Sequence, residues 1–356
     1  MATSSTIRSR EFGHLPDDRA VHEYTLANGS GMTLSAINFG GIVTSIRVPD
    51  RHGQLGNVVL GFSGLDDYVE RNPNFGTIVG RYANRIAGAR FTLDGETHRL
   101  DVNDGPNSLH GGVHGFGKRW WAITPHGPAD DGSVALQLDY RSAHGEGGFP
   151  GNLDVGVRYT LGQGNVWRVD YRASCDRATV VNLSQHAYFN LAGAGSALDH
   201  RLTVAASRYT AIDATLIPGA VESVAGTPFD FRQPTRIAER IRDAHPQLAL
   251  ARGYDHNWVL DREGSDLAFA VRLEDDHSGR VLEIETTEPA MQFYSGNFLD
   301  GRLLGSGGAL IRQGDGLCFE PQHYPDSPNR ADFPSTELRP GEVYASSTLY
   351  RFTSSS

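Results

Sequence analysis

Cysteine is scarce in this chain of 356 residues, which contains only Cys175 and Cys318. Two cysteines exclude a disulfide-stapled scaffold, because that class of protein needs several cysteine pairs. Both lie in apolar stretches typical of strands. We therefore expect two reduced core residues, although a single disulfide between them remains an alternative.

Long apolar runs and an excess of positive charge are also missing. No segment approaches the ~20 consecutive apolar residues that span a bilayer, and the polar N-terminus lacks the apolar region of a signal peptide. The formal net charge is −10, so no basic surface is expected to meet nucleic acid or an anionic membrane. The sequence therefore predicts a cytoplasmic protein with neither partner.

Glycine, in contrast, is abundant: 42 of 356 residues, or about 12% where globular proteins have ~7%. The excess indicates many tight turns and hence many short strands. Asn28-Gly29, between the apolar stretches at residues 23–26 and 32–34, predicts a hairpin.

Helical patterns are few. One short turn is expected after Ser63, and one short helix within residues 234–244. There is no βαβ alternation, which excludes a doubly wound sheet. The sequence predicts an all-β fold, a large antiparallel β-sandwich with very few short helices, as a single domain over residues 19–356. Residues 1–18 are expected to be a flexible tail.

Residues 182–191 alternate between two faces, as a strand does. The apolar face carries Leu183, Ala187, Phe189 and Leu191, with Gln185 as the exception, and the polar face carries Asn182, Ser184, His186, Tyr188 and Asn190. Amides, a phenol and an imidazole form directed hydrogen bonds, so this face indicates the wall of a cleft for a polyhydroxylated ligand. A solvated face with one incidental histidine would show the same alternation.

A glutamate also stands inside an apolar strand. Cys318, Glu320 and Gln322 share one face, and Pro321 is expected to end the strand. Burying a carboxylate is costly, so Glu320 is either paired or functional, and its pKa is expected to be raised.

Two other kinds of site, for zinc and for phosphate, are disfavoured by the residues found at their key positions. His110 and His114 have the spacing of a helical zinc pair, but Gly111-Gly112 between them disfavours a helix. Residues 112–118 match the opening of a phosphate-binding loop, but Arg119 replaces the required serine or threonine. With these two sites excluded, the remaining candidates are a histidine, a glutamate and hydrogen-bonding side chains on strands and loops. They suit acid/base chemistry on a neutral hydroxylated molecule, with no metal and no cofactor.

Six motifs in order carry a family resemblance: GRYANRI (80–86), NSLHGG (107–112), NLSQHAYFNLAG (182–193), YDHN (254–257), EPAMQFYSGNF (288–298) and CFEPQHYPDSPN (318–329). The chain resembles the aldose 1-epimerases, also called galactose mutarotases. The resemblance implies the large β-sandwich of that family, interconversion of the α and β anomers of free aldoses such as galactose and glucose, and no cofactor. The implied partner is a small monosaccharide, for a monomer or a homodimer.

The resemblance also implies roles for single residues. Glu320 matches the general base, His186 the general acid, and His110 a second histidine at the ring-oxygen end. The positions that match hydroxyl-binding or cleft-lining residues are Asn84, Arg85, Tyr188, Asp255 and Gln292. Asp255 is expected to raise the pKa of a nearby histidine, and the role of Arg81 is open.

Three alternatives remain at this point. A sugar-phosphate epimerase would need a cationic cluster, for which Arg81 and Arg85 are the candidates. A non-catalytic sugar-binding protein has no need for the pair Glu320 and His186. A glycosidase would use two carboxylates, Glu320 and Asp255.

Overall fold

The computed structural model of the protein describes residues 4–355. Short antiparallel strands dominate, as the glycine-punctuated sequence predicts. The strands of the first half of the chain are β1 (Thr6–His14), β2 (Ala20–Ala27), β3 (Thr33–Ile37), β4 (Val43–Pro49), β5 (Leu55–Asn57), β6 (Thr77–Val79), β7 (Arg85–Ile86), β8 (Arg90–Leu93), β9 (Glu96–Arg99), β10 (Ser108–Leu109), β11 (Ala122–His126), β12 (Val134–Ser142), β13 (Leu153–Gly162), β14 (Val166–Cys175) and β15 (Thr179–Val180).

The second half of the chain continues this pattern. Its strands are β16 (Ser184–His186), β17 (Tyr188–Phe189), β18 (Arg201–Val204), β19 (Arg208–Ile212), β20 (Pro218–Ser223), β21 (Thr235–Arg236), β22 (Asp255–Val259), β23 (Ala268–Glu274), β24 (Arg280–Thr286), β25 (Ala290–Tyr294), β26 (Asp300–Leu304), β27 (Leu310–Arg312), β28 (Leu317–Gln322), β29 (Glu337–Leu338) and β30 (Tyr344–Ser354). The short α-helices are α1 (Leu65–Glu70), α2 (Ile237–Arg240) and α3 (Pro246–Ala251). No helix within the described range is long and apolar enough to cross a membrane.

Two large sheets and one smaller sheet organise the molecule. The nine-stranded sheet has the order β11-β12-β13-β14-β30-β24-β23-β18-β21, and the six-stranded sheet has the order β17-β28-β25-β22-β19-β20. A five-stranded sheet, β1 to β5 in sequence order, contains the predicted hairpin as β2 and β3. The predicted antiparallel β-sandwich with few short helices is confirmed.

The core lies between the two large sheets. Tyr350, on the nine-stranded sheet, stacks on Trp167 of its own sheet at 4.6 Å between ring centroids and packs on Phe189 of the six-stranded sheet at 5.7 Å. Phe293 and Phe319 continue the aromatic layer along the six-stranded sheet, 5.2 Å apart. Such close-packed aromatics hold the six-stranded sheet rigid, which matters because that sheet carries the candidate site.

The structure differs from the sequence-based predictions at two places. Residues 1–18 were expected to be a flexible tail, but Thr6–His14 is a strand paired along its length with β2; residues 1–3 lie outside the described range. The short helix predicted within residues 234–244 is present as α2, but the sequence pattern did not predict α3, which begins at Pro246, where proline is tolerated in the first helical turn.

Both cysteines are free thiols, so the alternative of a disulfide between them is excluded. Cys318 is fully buried, whereas Cys175 is only partly buried.

Candidate active site

A cleft of about 180 Å³ opens beside the six-stranded sheet. Seven of the predicted site residues line it together: Asn84, Arg85, His110, His186, Tyr188, Asp255 and Glu320. The eighth, Gln292, reaches the cleft through Asp255, because its Nε2 donates a hydrogen bond of 2.7 Å to Asp255 Oδ1. Motifs spread over more than 230 residues of sequence thus meet in one cavity.

Strand register explains why the carboxylates and amides converge. Glu320 on β28 lies opposite Gln292 on β25, and Asp255 on β22 lies opposite Tyr294 on β25. Side chains directly opposite in an antiparallel pair point to the same face. One face of three neighbouring strands therefore carries the polar groups, while the other face packs into the aromatic core.

His186 and Glu320 are the closest acid/base pair in the cleft. His186 Nε2 lies 3.5 Å from Glu320 Oε1, and both side chains are almost completely buried. His186 Nδ1 and Glu320 Oε2 have no hydrogen-bond partner among residues 4–355. These unpaired polar atoms leave the pair free to bond to a ligand.

Burial acts on the two groups in opposite directions. It raises the pKa of Glu320 well above its usual value, and the negative charge of Asp255 adds to this while Arg85 opposes it. Burial lowers the pKa of His186 to about 4. Both shifts favour the uncharged forms of the two side chains.

The second histidine is fixed by the backbone. The Asn84 backbone N–H donates a hydrogen bond of 3.1 Å to His110 Nδ1, and the ring of His110 meets the ring of His186 edge-on, 5.2 Å apart. Burial, with His186 and Arg85 nearby, lowers the pKa of His110 well below its usual value. A neutral ring that accepts a hydrogen bond at Nδ1 carries its proton on Nε2.

His110, His186 and Glu320 bring possible metal-ligand atoms within 4.8 Å of one another. A ligating imidazole nitrogen must offer a lone pair, whereas Nε2 of the neutral His110 carries a proton. The set therefore fits hydrogen bonding and proton transfer better than metal ligation.

Arg85 is held between two carboxylates. Its Nε donates a hydrogen bond of 2.7 Å to Asp104, and its Nη1 lies 3.8 Å from Asp255 Oδ2. Burial raises the pKa of Asp255, and Arg85 opposes that rise. The expectation that Asp255 raises the pKa of a histidine is wrong: its charge acts on Glu320, and the pKa values of both cleft histidines are lowered.

Two other predicted residues have roles defined by their contacts. The hydroxyl of Tyr188 donates to the Pro73 carbonyl oxygen at 3.0 Å, and its ring stacks on the His186 imidazole, 5.0 Å away. Arg81 does not line the cleft; it is 2% exposed and donates to the carbonyl oxygens of Pro150 and Gly151. Arg81 therefore ties loops together, which removes it from a candidate phosphate-binding pair with Arg85.

Some cleft residues were missed by sequence reasoning. Asp104 holds Arg85 from a turn that the sequence marks only as polar. Tyr294 and Phe298 line the cleft wall, with the Phe298 backbone N–H donating to the Tyr294 hydroxyl at 2.9 Å. Phe298 is 52% exposed, and only its place in the EPAMQFYSGNF motif connects it to the site.

Comparison with known proteins gives a consistent result. The family model described as aldose 1-epimerase matches residues 22–351. The galactose mutarotase of Mus musculus is 43% identical over 345 residues, covering 96% of this chain and 97% of the relative. The aldose 1-epimerase of Escherichia coli K12 is 38% identical over 341 residues, covering 95% of this chain and 96% of the relative.

Solved structures agree in fold. An aldose epimerase homologue from C. elegans matches with a TM-score of 0.85 and 31% identity, over 93% of this chain and 98% of that chain. A galactose 1-epimerase from Lactobacillus acidophilus matches with a TM-score of 0.88 and 27% identity, over 99% of this chain and 100% of that chain. On the near-complete match to the family model and to relatives of about 40% identity, this chain belongs to the aldose 1-epimerase family.

Proposed function

We propose that this protein is an isomerase that interconverts the α and β anomers of free aldoses by acid/base-catalysed opening and reclosure of the sugar ring. The observation that carries the proposal is the buried pair of His186 and Glu320, 3.5 Å apart in a cleft lined by hydrogen-bonding side chains. Membership of the aldose 1-epimerase family supports the same reaction.

Ring opening needs two proton transfers and one bond cleavage. Ionised Glu320 takes the proton from the C1 hydroxyl, the bond between C1 and the ring oxygen breaks, and protonated His186 gives its proton to that oxygen. The C1 aldehyde then rotates about the C1–C2 bond. In reclosure His186 takes the proton back from the hydroxyl, which attacks C1 from the other face, and Glu320 returns its proton to the new C1 oxygen.

Each residue carries its own proton, and reclosure reverses both transfers. Opening leaves Glu320 protonated and His186 neutral, which is the starting state for reclosure. Burial favours that uncharged state of the pair. Sugar hydroxyls that donate to the carboxylate would stabilise the ionised state, so bound substrate brings the two states closer in free energy.

The remaining cleft residues are proposed to bind the sugar. His110 presents the proton on Nε2 to the ring-oxygen end, and Asn84, Arg85, Asp255 and Gln292 bind hydroxyls. Tyr188 supports His186 through ring stacking. Galactose and glucose are both proposed as substrates, and a cytoplasmic location is proposed from the reduced cysteines.

Polarimetry on freshly dissolved α-D-galactose and α-D-glucose tests the proposal. Wild-type protein is expected to speed the approach to anomeric equilibrium above the buffer rate. Glu320→Gln keeps the shape of the side chain but removes the base, so turnover is expected to fall by at least about 10³-fold while galactose binding is retained.

Glu337→Gln is the matched control, because Glu337 is an exposed carboxylate on β29, away from the cleft. It is expected to leave the rate unchanged. Near-normal activity of Glu320→Gln would show that another group is the base. No acceleration by wild type on any free aldose would overturn the proposed reaction.

A further inference from the structure

A second and larger cavity, of about 710 Å³, lies apart from the catalytic cleft. It sits between the five-stranded sheet, which supplies β1, β2 and β4, and the hairpin of β26 and β27. None of its lining residues lines the catalytic cleft. The rings of Phe62, Phe75 and Tyr188 pack in sequence between the two cavities, with centroid distances of 5.2 and 4.8 Å.

One buried asparagine braces two glycine-containing loops at this cavity. The Asn190 side chain is 2% exposed, and its Nδ2 donates to the carbonyl oxygens of Gly195 and Asp315 at 2.7 and 2.9 Å. The Ser306 backbone N–H donates to the Gly61 carbonyl oxygen at 2.8 Å, which fixes a third loop, between β26 and β27. The cavity is therefore pre-formed, as ligand sites usually are.

The loops that contain Gly195 and Gly307 both line this cavity. A Cβ atom built at Gly195 or Gly307 would meet no atom within 4 Å. The backbone N–H groups of these two glycines have no acceptor among residues 4–355. Free amides in glycine loops are donors suited to an anion.

Cationic side chains enter the cavity from opposite walls. Arg47 comes from β4 and Arg312 from β27, and neither forms an ion pair with a carboxylate in the described part of the chain. Arg10 also lines the cavity but is bound to Glu23 at 2.7 Å. The other lining carboxylate, Asp315, accepts from the Arg312 backbone N–H at 2.7 Å. Arg47 donates one long hydrogen bond, of 3.4 Å, to the Leu55 carbonyl oxygen. Both guanidinium groups thus keep an uncompensated positive charge in a protein of net charge −10.

Part of the remaining wall is apolar, beside serine, threonine and asparagine residues. Phe12, Leu60 and Phe62 line it, and Leu310 adds a side chain that is 47% exposed. An inorganic anion alone would leave this surface in water. A ligand with a phosphate at one end and an organic body at the other would cover both parts.

We propose that this cavity is a second binding site, for a small organic phosphate of up to nucleotide size. Arg47 and Arg312 bind the phosphate together with the open amides of the glycine loops, because guanidinium groups pair with phosphate oxygens in a bidentate manner. The organic part packs on Phe12, Leu60 and Phe62. The site is independent of the proposed anomer interconversion and stands even if that reaction is absent.

Isothermal titration of the full-length protein tests this proposal. The probes are uridine 5′-monophosphate and glucose 1-phosphate, with uridine and glucose as their uncharged counterparts, all in saturating galactose to fill the catalytic cleft. We expect 1:1 binding of at least one phosphorylated probe and at least about tenfold weaker binding of its uncharged counterpart. The comparison of the two phosphates tells whether a nucleotide or a sugar phosphate is preferred.

Arg47→Gln/Arg312→Gln is expected to weaken phosphate binding by about tenfold or more. Arg8→Gln/Arg90→Gln removes the same charge from exposed arginines outside the cavity and should bind like wild type. Ala194→Trp places a large side chain in the cavity without changing its charge and should abolish binding. This variant tests the site independently if the arginine variant does not fold. No binding of either phosphate up to about 10 mM, equal binding of the uncharged probes, or unchanged binding by both cavity variants would each overturn the proposal.

Discussion

Burial shifts the balance between the charged and the uncharged forms of Glu320 and His186. A carboxyl and an imidazole in water favour the charged pair by about two pKa units. Here burial raises the pKa of Glu320 and lowers that of His186 to about 4. Both shifts act against the charged pair, so we expect bound sugar to supply the hydrogen bonds that stabilise ionised Glu320 and protonated His186.

Asp255 adjusts this balance from the next strand but one. Its charge raises the pKa of Glu320, so Asp255→Asn is expected to move the limb of the kcat/KM pH profile that Glu320 sets to lower pH, by about one unit or less, and to leave the limb that His186 sets in place. The loss of a charged hydrogen-bond acceptor should also lower kcat/KM on galactose by about tenfold. Polarimetric rates from pH 4 to pH 9 provide the measurement.

Asp104→Asn is the contrasting variant. It removes the 2.7 Å partner of Arg85 but leaves Asp255 beside Glu320, so its shift should be smaller. A profile that moves to higher pH in Asp255→Asn would contradict the assigned electrostatics. An unmoved profile would mean that Asp255 affects substrate binding alone.

At the level of elements, the loop that carries His110 is locked against the neighbouring strand end. Gly111, with φ +85°, sits so close to Gly80 that a Cβ atom on it would lie 2.0 Å from the Gly80 carbonyl oxygen. That contact is with backbone, which cannot move aside as a flexible side chain can. The loop thus fixes the approach of His110 to His186.

Gly111→Ala is expected to destabilise the protein by more than about 4 kcal/mol or to displace His110 and cut the rate on galactose. Gly95→Ala is the matched control: its φ is +81°, but a Cβ atom there would meet nothing within 4 Å. It should cost only about 1–2 kcal/mol of conformational strain and leave the rate unchanged. Urea unfolding measures the loss of stability in both variants, and polarimetry measures their rates. Equal losses of stability would show that the backbone around Gly80 moves aside without cost.

The alternation of polar and apolar residues predicted where strands lie better than it predicted which strands pair with each other. Residues 182–191 alternate as expected, but they form two short strands in different sheets, β16 beside β6 and β17 beside β28. Both faces are buried, and only His186 and Tyr188 of the polar face line the cleft. Pro321 was expected to end β28, yet the strand continues to Gln322, and the Pro321 carbonyl oxygen accepts from the Ser184 hydroxyl.

The site residues were predictable because six motifs occur in family order, whereas their pairings were not. Period-two alternation can place Glu320 on a polar face, but only the register between β25 and β28 places it opposite Gln292. Asp104 carries no sequence signal beyond a turn, because its role depends on Arg85 reaching it across the loop. Long-range pairing is the part that local pattern does not encode.

For the molecule as a whole, buried neutral histidines make folding sensitive to acid. Burial lowers the pKa of His186 to about 4 and that of His256 to about 3, and it lowers that of His110 as well. In the unfolded chain these groups titrate near ~6.5. Between these values the unfolded chain binds more protons, so the stability that neutral burial gives is complete above ~6.5 and is lost as pH falls toward the folded values.

His256 isolates this effect away from the catalytic pair. Its Nε2 lies 3.1 Å from Gln247 Oε1, and its ring packs on Phe229 at 4.6 Å. His256→Gln should lower the free energy of unfolding at neutral pH, yet reduce its dependence on pH by about 1.4 kcal/mol per pH unit between pH 4.5 and pH 6. Urea unfolding at a series of pH values measures both quantities.

The pH dependence of the unfolding free energy has to be compared between variants, because Glu320 and the histidines change stability in opposite directions over the same pH range. Its raised pKa means that the folded protein binds more protons there than the unfolded chain, so its contribution falls as pH rises. His52→Gln changes an exposed histidine and should leave the wild-type pH dependence intact. If His256→Gln keeps the full wild-type slope, His256 is protonated in the folded protein, and acid sensitivity must come from other groups.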